Sequence, residues 1–276
     1  MATEVTQDFK ASPKSDPWWK DWPIANHPPN AKTLLITGCG IIYTVPDRPN
    51  ELVKVPKPFE YARRDHEIER RVYRRLGKHR NIVNVVEMDQ YGIYLERAAH
   101  GSVREYFIGG GKAELWERLL WCRDVAGVLD FVHRKGIRHS DLSGRNLLID
   151  SGRNILLCDF AGSCIDEEKA TVLAESGFRH PDERENVQPT IRAEIHTLGS
   201  TIYEIVTGMQ PYQGLEDHEI DKHLAEGQYP DVSEVPLGDV VAKCWKGDFG
   251  SAAEVAEEID SSSLRYLGEK LPTYSP

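Results

Sequence analysis

The chain has 276 residues and a formal net charge of −10, from 34 basic and 44 acidic side chains. This balance argues against non-specific binding to nucleic acid. No apolar stretch is long enough to span a bilayer, and the first residues lack the apolar core of a signal peptide. We therefore expect an intracellular protein, cytoplasmic or nuclear, with no membrane or nucleic-acid partner. The five cysteines are scattered without CxxC spacing, so the sequence implies neither a disulfide framework nor a zinc site.

Residues 1–31 are rich in Pro, Lys, Asp and Trp and show no helical or strand periodicity, which predicts an extended N-terminal arm. Trp18, Trp19 and Trp22 are too apolar for a purely solvated tail. We expect them to pack on the domain or on a partner.

Short β-rich runs follow, over residues 33–37, 41–45, 51–55, 83–88 and 91–95. A helical stretch over about 59–77 interrupts them, with Ile68, Val72 and Leu76 spaced four apart. Its many arginines predict either a solvated face or a docking face for an acidic partner.

After residue 101 the pattern becomes mostly helical. Apolar residues repeat every three or four positions over 114–134, which predicts one long buried helix. A second strong helix is expected over about 194–207, and charged helical segments extend to about 266. The sequence thus predicts an α+β molecule with a β-rich lobe (32–96), an α-helical lobe (97–266) and a C-terminal tail (267–276).

The segment GIRHSDLSGRNLLI, residues 137–150, places polar groups between apolar runs, and loops held by packed elements often carry catalytic groups. Its HSDLSGRN resembles the catalytic loop H-R-D-x-x-x-x-N of eukaryotic protein kinases. Further along, CDFAGS resembles the segment around D-F-G in that family. The resemblance extends over about residues 33–260. It implies a two-lobed protein-kinase-like fold that uses ATP and Mg²⁺ and phosphorylates a protein substrate, with Ser or Thr favoured as acceptor.

The resemblance implies roles for the catalytic-loop residues. Asp141 is expected to position or deprotonate the acceptor hydroxyl, and Arg145 to offset charge at the transferring phosphoryl group. Asn146 and Asp159 carry the oxygen donors that Mg²⁺ prefers and are expected to hold it.

The upstream half of the chain implies the nucleotide contacts. In LVK, Lys54 stands where the family has its phosphate-binding lysine, and Glu69 on the predicted helix is expected to pair with it. GCGIIYTV (38–45) resembles the Gly-rich loop G-x-G-x-x-G-x-V. In that motif Gly38 and Gly40 are expected to let backbone N–H groups approach the phosphates, and Val45 to cover the base.

IYLERAAHGSV (93–103) resembles the linker between kinase lobes. The resemblance implies that Leu95 is the gatekeeper and that Glu96 to Ala98 offer backbone hydrogen bonds to adenine.

Several positions depart from the family pattern. Ser140 replaces the arginine that reads a phosphate on the activation segment, so we expect no dependence on that switch. Ala161 replaces the glycine of D-F-G, Tyr43 the third loop glycine, and Glu194 the aspartate that braces the catalytic loop. These departures leave open a pseudokinase that binds nucleotide as a scaffold. A phosphotransferase acting on small molecules is a third possibility, which EIHTLGSTIYEIVTGMQPY (194–212) disfavours because it resembles a helix specific to protein kinases.

Overall fold

The computed structural model describes residues 26–182, 188–268 and 271–272. Most of the predicted N-terminal arm, including Trp18, Trp19 and Trp22, lies outside these residues. No helix in the described ranges is both long and apolar enough to cross a membrane.

A five-stranded antiparallel sheet forms the small lobe, in the order β1-β2-β3-β5-β4. Its strands are β1 (Lys32–Ile36), β2 (Gly40–Val45), β3 (Arg48–Pro56), β4 (Val85–Met88) and β5 (Ile93–Glu96). Helix α1 (Glu60–Leu76) connects β3 to β4. All five predicted strands and the predicted helix are confirmed, with small shifts at their ends.

The two faces of this sheet have different neighbours because successive side chains of a strand point to opposite faces. The outer face carries a small cluster of its own, in which Val45 packs against Tyr43, Val53, Val55 and Tyr94. The inner face carries Lys54, which lies opposite Ile42 in the β2–β3 register. The register therefore decides which residues can reach a ligand between the lobes.

The large lobe is mainly helical. Its helices are α2 (Val103–Ile108), α3 (Leu115–Arg134), α4 (Ile191–Thr207), α5 (Asp217–Ala225), α6 (Gly238–Lys246) and α7 (Ala252–Leu267). The helix predicted from 194 begins earlier, at Ile191, because the Thr190 side chain accepts a hydrogen bond from the Ala193 amide and caps the first turn. The α+β class with a β-rich and a helical region is confirmed.

Four short strands support the catalytic loop: β6 (Ile137–Arg138), β7 (Leu147–Ile149), β8 (Ile155–Leu157) and β9 (Cys164–Ile165). β7 pairs with β8, and β6 with β9. A 3₁₀ turn, Gly144–Asn146, precedes β7. One hydrophobic core runs from Val72 of α1 through Leu157 of β8 to Leu129 of α3, so the loop is mounted on packed elements of both lobes.

Candidate active site

The catalytic loop brings Asp141, Arg145 and Asn146 together. The Asn146 amide nitrogen donates to the Asp141 backbone oxygen at 2.7 Å and to its carboxylate at 3.1 Å. An Arg145 guanidinium nitrogen donates to both Asp141 carboxylate oxygens, at 3.0 and 2.9 Å. The Asn146 nitrogen is thus committed to Asp141, and its amide oxygen is the atom left to bind a cation.

Glu194 of α4 braces this loop from below. It accepts a hydrogen bond of 2.6 Å from the Ser140 amide, and its other oxygen lies 2.7 Å from His133 Nε2. Burial raises the pKa of Glu194, but the His133 and Ser140 contacts outweigh burial and leave the pKa below its ordinary value. The brace holds Ser140 at φ +71°, a left-handed conformation that costs strain in a non-glycine residue. His133 was missed from the sequence, because it lies 61 residues from Glu194.

The second group consists of Lys54, Glu69 and Asp159. The Lys54 ammonium lies 2.7 Å from a Glu69 oxygen and 2.7 Å from an Asp159 oxygen. The side chains of Lys54 and Glu69 are 4% and 0% exposed, so this pair is shielded from water and salt.

Burial and charge compete in this group. Burial disfavours the Lys54 ammonium, but the carboxylates of Asp159 and Glu69 more than offset burial and place the pKa of Lys54 above its ordinary value. Burial likewise disfavours the Asp159 carboxylate, and Lys54 holds its pKa below the ordinary value. Burial wins at Glu69, where the pKa rises to about 6 despite Lys54.

A stack of rings supports Asp159. The Phe160 ring meets Tyr73 of α1 edge-on at 5.3 Å and lies 4.9 Å from the His139 ring. His139 Nε2 in turn lies 3.0 Å from the Cys158 carbonyl oxygen. Through Phe160, the stack connects α1 to the catalytic loop. The preceding residue, Asp159, has a backbone φ of +62°. Tyr73 was missed from the sequence, although it follows Glu69 by one helical turn on the buried face of α1.

The β7–β8 hairpin brings the two expected Mg²⁺ ligands towards each other. Leu147 pairs with Leu157, and the Cys158 amide donates to the Asn146 carbonyl at 3.0 Å. Asp159 follows directly. In the described ranges, no group of three or more His, Cys, Asp or Glu side chains could hold a metal. The Asn146 amide oxygen and the Asp159 carboxylate do fit Mg²⁺, which prefers oxygen and keeps several waters.

The Gly-rich segment is a tight turn. Three residues, Thr37 to Cys39, separate β1 from β2, and the Thr37 amide donates to the Gly40 carbonyl at 2.9 Å across the turn. The Lys57 ammonium donates to the Gly38 carbonyl and pins the turn to the end of β3. A Cβ on Gly40 would lie 3.1 Å from the Val55 carbonyl, so the small residue permits this close approach. Burial raises the pKa of the Cys39 thiol, which disfavours a reactive thiolate.

The register of β1, β2 and β3 decides which side chain could cover the base of a bound nucleotide. Ile42 lies opposite Lys54 on the inner face, and Leu35 of β1 lies opposite Ile42. Val45, which the sequence assigned to the base, packs instead in the outer cluster. The geometry therefore favours Ile42 over Val45 as the residue that could cover a base, because Ile42 shares the inner face with Lys54 and Val45 does not.

Two backbone amides of the linker between the lobes are already hydrogen-bonded within the protein. The amides of Glu96 and Arg97 donate to the carbonyls of Asn84 and Asn50. The Ala98 amide makes no hydrogen bond to another described residue, so it can donate to a ligand. A cavity of about 720 Å³ lies beside this linker, but Lys54, Asp141 and Asp159 do not line it.

An ion-pair network flanks Asp141 on the side of the segment that precedes α4. Glu175 contacts Arg145 at 3.2 Å and Arg104 at 2.7 Å, and Arg104 also pairs with buried Glu204 at 2.7 Å. Burial raises the pKa of Asp141, Arg145 opposes the rise, and Glu175 adds to it. Arg104, Glu175 and Glu204 were missed because nothing in their spacing marks them as partners.

The protein kinase domain model matches residues 42–264, most of the chain. The chain belongs to the protein kinase family. The kinase STE20 of Candida glabrata, a serine/threonine-protein kinase, is 27% identical over 220 residues, 73% of this chain and 23% of that protein. The serine/threonine-protein kinase PrkC of Bacillus subtilis is 27% identical over 224 residues, 74% of this chain and 34% of that protein.

A third relative, the serine/threonine/tyrosine-protein kinase HT1 of Arabidopsis thaliana, is 22% identical over 204 residues, 66% of this chain and 52% of that protein. The chain therefore spans from about a quarter to about half the length of these relatives. The resemblance to protein kinases inferred from the motifs is confirmed.

Proposed function

We propose that this protein transfers the γ-phosphoryl group of ATP to a hydroxyl group of a protein, in the presence of Mg²⁺. The observation that carries the proposal is the buried Lys54–Glu69 pair, which also contacts the partly exposed Asp159 beside Asp141 and Asn146. Burying two charges is costly because water is a better solvent for ions than a protein interior, so such a pair at the edge of a cleft supports a role in binding a charged ligand.

Lys54 would contact the α- and β-phosphates, and Glu69 would keep its ammonium in place before the nucleotide arrives. Such fixed charges need little reorganisation during the reaction. The Asn146 amide oxygen and the Asp159 carboxylate would hold Mg²⁺, which supplies charge neutralisation on the phosphates when bound.

Asp141 would orient the acceptor hydroxyl and accept its proton. Its position between the Asn146 amide and the Arg145 guanidinium fixes the carboxylate, and Arg145 lies close enough to offset charge on the transferring group. The base would lie between Ile42 and Leu35 of the small lobe and the linker, whose Ala98 amide is available as a donor.

Ser and Thr are the proposed acceptors. The names of the relatives in Candida glabrata and Bacillus subtilis favour them, whereas the name of the Arabidopsis thaliana relative also includes tyrosine. The residue two positions after Asp141 is Ser143, whose hydroxyl donates to Glu175, so the acceptor side lacks a lysine there.

The test is transfer of radiolabelled phosphate from ATP with Mg²⁺ to the protein itself and to a panel of peptides and small alcohols. We expect labelled peptide, and hydrolysis should release phosphoserine or phosphothreonine. Asp141→Asn should lower the rate by about 10²- to 10⁴-fold while nucleotide binding persists, since the variant loses only the base.

Each other outcome has a defined meaning. Label on small alcohols alone would replace the protein acceptor with a small molecule, and phosphotyrosine would overturn the Ser/Thr assignment. Mg²⁺-dependent nucleotide binding without any transfer would identify a pseudokinase and contradict the proposal.

A further inference from the structure

Helix α1 is strongly basic, and most of its arginines have partners within the chain. Arg70 donates to the backbone carbonyls of Asp89 and Gly92, which ties the helix to the β4–β5 turn. Arg71 and Arg75 are four residues apart, so they project from neighbouring positions on one side of the helix. Both reach the acidic run Asp166-Glu167-Glu168, which follows β9.

The two contacts have matching geometry. Arg75 forms a two-pronged pair with Asp166 at 2.6 and 2.9 Å, and Arg71 forms one with Glu168 at 2.5 and 3.2 Å. Two parallel N–H···O bonds fix the orientation of a guanidinium as well as its distance. Two such pairs, one helical turn apart, restrain both the position and the rotation of α1.

The acidic partners are anchored in the large lobe. Strand β9 pairs with β6, and the Asp166 amide donates to the Gly136 carbonyl at 2.6 Å. A Cβ at position 136 would lie 2.4 Å from an Asp166 carboxylate oxygen. The absence of a side chain there therefore allows Asp166 to approach the backbone and face α1.

We propose that Asp166 and Glu168 are positioning residues that hold α1, and with it Glu69, in the arrangement that reaches Lys54. This inference rests on the proposed function. The acidic partner of the basic helix α1 is then the segment of the same chain that follows β9. The two carboxylates would position α1 without a phosphate on the activation segment. This is consistent with Ser140, which replaces the arginine that reads such a phosphate in the family. Because all four side chains are between 39% and 58% exposed, the coupling is screened by salt.

The test is a charge swap. Arg75→Glu and Asp166→Arg should each raise the KM for ATP by about 2- to 5-fold at low salt, the range measured for exposed ion pairs. The double variant, with the charges exchanged, should restore at least half of the loss. The wild-type KM should rise with ionic strength, whereas the KM of Arg75→Glu should change less.

Arg74→Glu is the matched control, because it makes the same charge change on the same helix. Arg74 pairs only with Glu67 of α1 itself among the described residues, at 3.4 Å, so its replacement should leave the KM for ATP unchanged. A double variant no better than the single variants, or an equal effect of Arg74→Glu, would overturn the proposal.

The Kd of Mg²⁺-ATP is measured in the same variants and separates this proposal from the proposed function. If the wild type transfers no phosphate, the proposed function fails. The effect of exchanging the charges can then still be measured as a change in the Kd of Mg²⁺-ATP. If transfer is normal and neither KM nor Kd responds to the single variants, only the tether fails.

Discussion

Helix α1 is tied to the rest of the site on two sides, and the two sides use ion pairs of opposite character. On the inner side Glu69 meets Lys54, with both side chains nearly inaccessible to water. On the outer side Arg71 and Arg75 meet Glu168 and Asp166 in contacts that remain open to solvent. Removing one partner of a buried pair leaves an uncompensated charge, whereas an exposed charge that loses its partner is hydrated.

Because of this difference in exposure, the inner and outer ion pairs should contribute differently to activity. In the proposed function the inner pair holds Lys54, which binds the phosphates and also contacts Asp159. The outer pairs are individually weak and adjust the position of the helix. Variants of the inner side should therefore have large effects, and variants of the outer side small, salt-dependent ones.

Glu69→Gln tests the inner pair and should have the larger effect. The free energy of unfolding at neutral pH should not fall, because burial already disfavours the Glu69 carboxylate, Gln resembles protonated Glu69, and Asp159 still neutralises Lys54. Phosphate transfer should fall by about 10²-fold, as for the loss of one fixed electrostatic contact in other active sites. Urea unfolding and the transfer assay measure the two.

Glu67→Gln provides the control on the same helix. The Glu67 side chain is 59% exposed, so the variant should stay within about 0.5 kcal/mol of the wild type in stability and keep the wild-type rate of transfer. Equal losses of transfer rate in the two variants would refute the division into an inner and an outer side.

The same contrast exists between the two faces of the small sheet. Ile42→Ala should weaken Mg²⁺-ATP binding by about 1–2 kcal/mol, roughly 5- to 30-fold in Kd, because a branched side chain no longer covers the base. Val45→Ala should leave the Kd unchanged and lower the free energy of unfolding instead. Titration of nucleotide against each variant decides between them, and the reverse result would restore Val45 as the residue that covers the base.

Lowering the pH should change both the stability of the protein and its rate of transfer through protonation of Glu69. Its pKa of about 6 lies above the ordinary value of 4.5, so the folded protein binds a proton that the unfolded chain does not bind in this interval. As the pH falls from above 6 to below 4.5, this group therefore adds to the free energy of unfolding. Transfer should nevertheless halve near pH 6, because protonated Glu69 releases Lys54.

Rates and urea unfolding, measured from pH 5 to pH 8, separate these two effects. The acid limb near pH 6 should be absent in Glu69→Gln. A fall in stability that parallels the fall in rate, in the wild type, would contradict the assignment of this limb to Glu69.

The sequence predicted the fold well, because the strands alternate and helices 115–134 and 60–76 have clear apolar periodicity. It also singled out Lys54, Asp141 and Asp159, since these stand in segments that resemble protein-kinase motifs. What it could not predict depends on contacts between distant positions. The choice of Ile42 over Val45 depends on where the hairpin turns, and the His133–Glu194 brace joins residues 61 positions apart.

The time course of the first turnovers tests the proposed site most directly. This site requires that Lys54, Glu69 and Asp159 are assembled before any phosphate is attached to the chain. Protein freed of phosphate with a phosphatase, and verified by intact mass, should transfer phosphate to a peptide at its full rate from the first turnover. A lag that disappears after preincubation with Mg²⁺-ATP, together with a gain in mass of one phosphate, would contradict that claim.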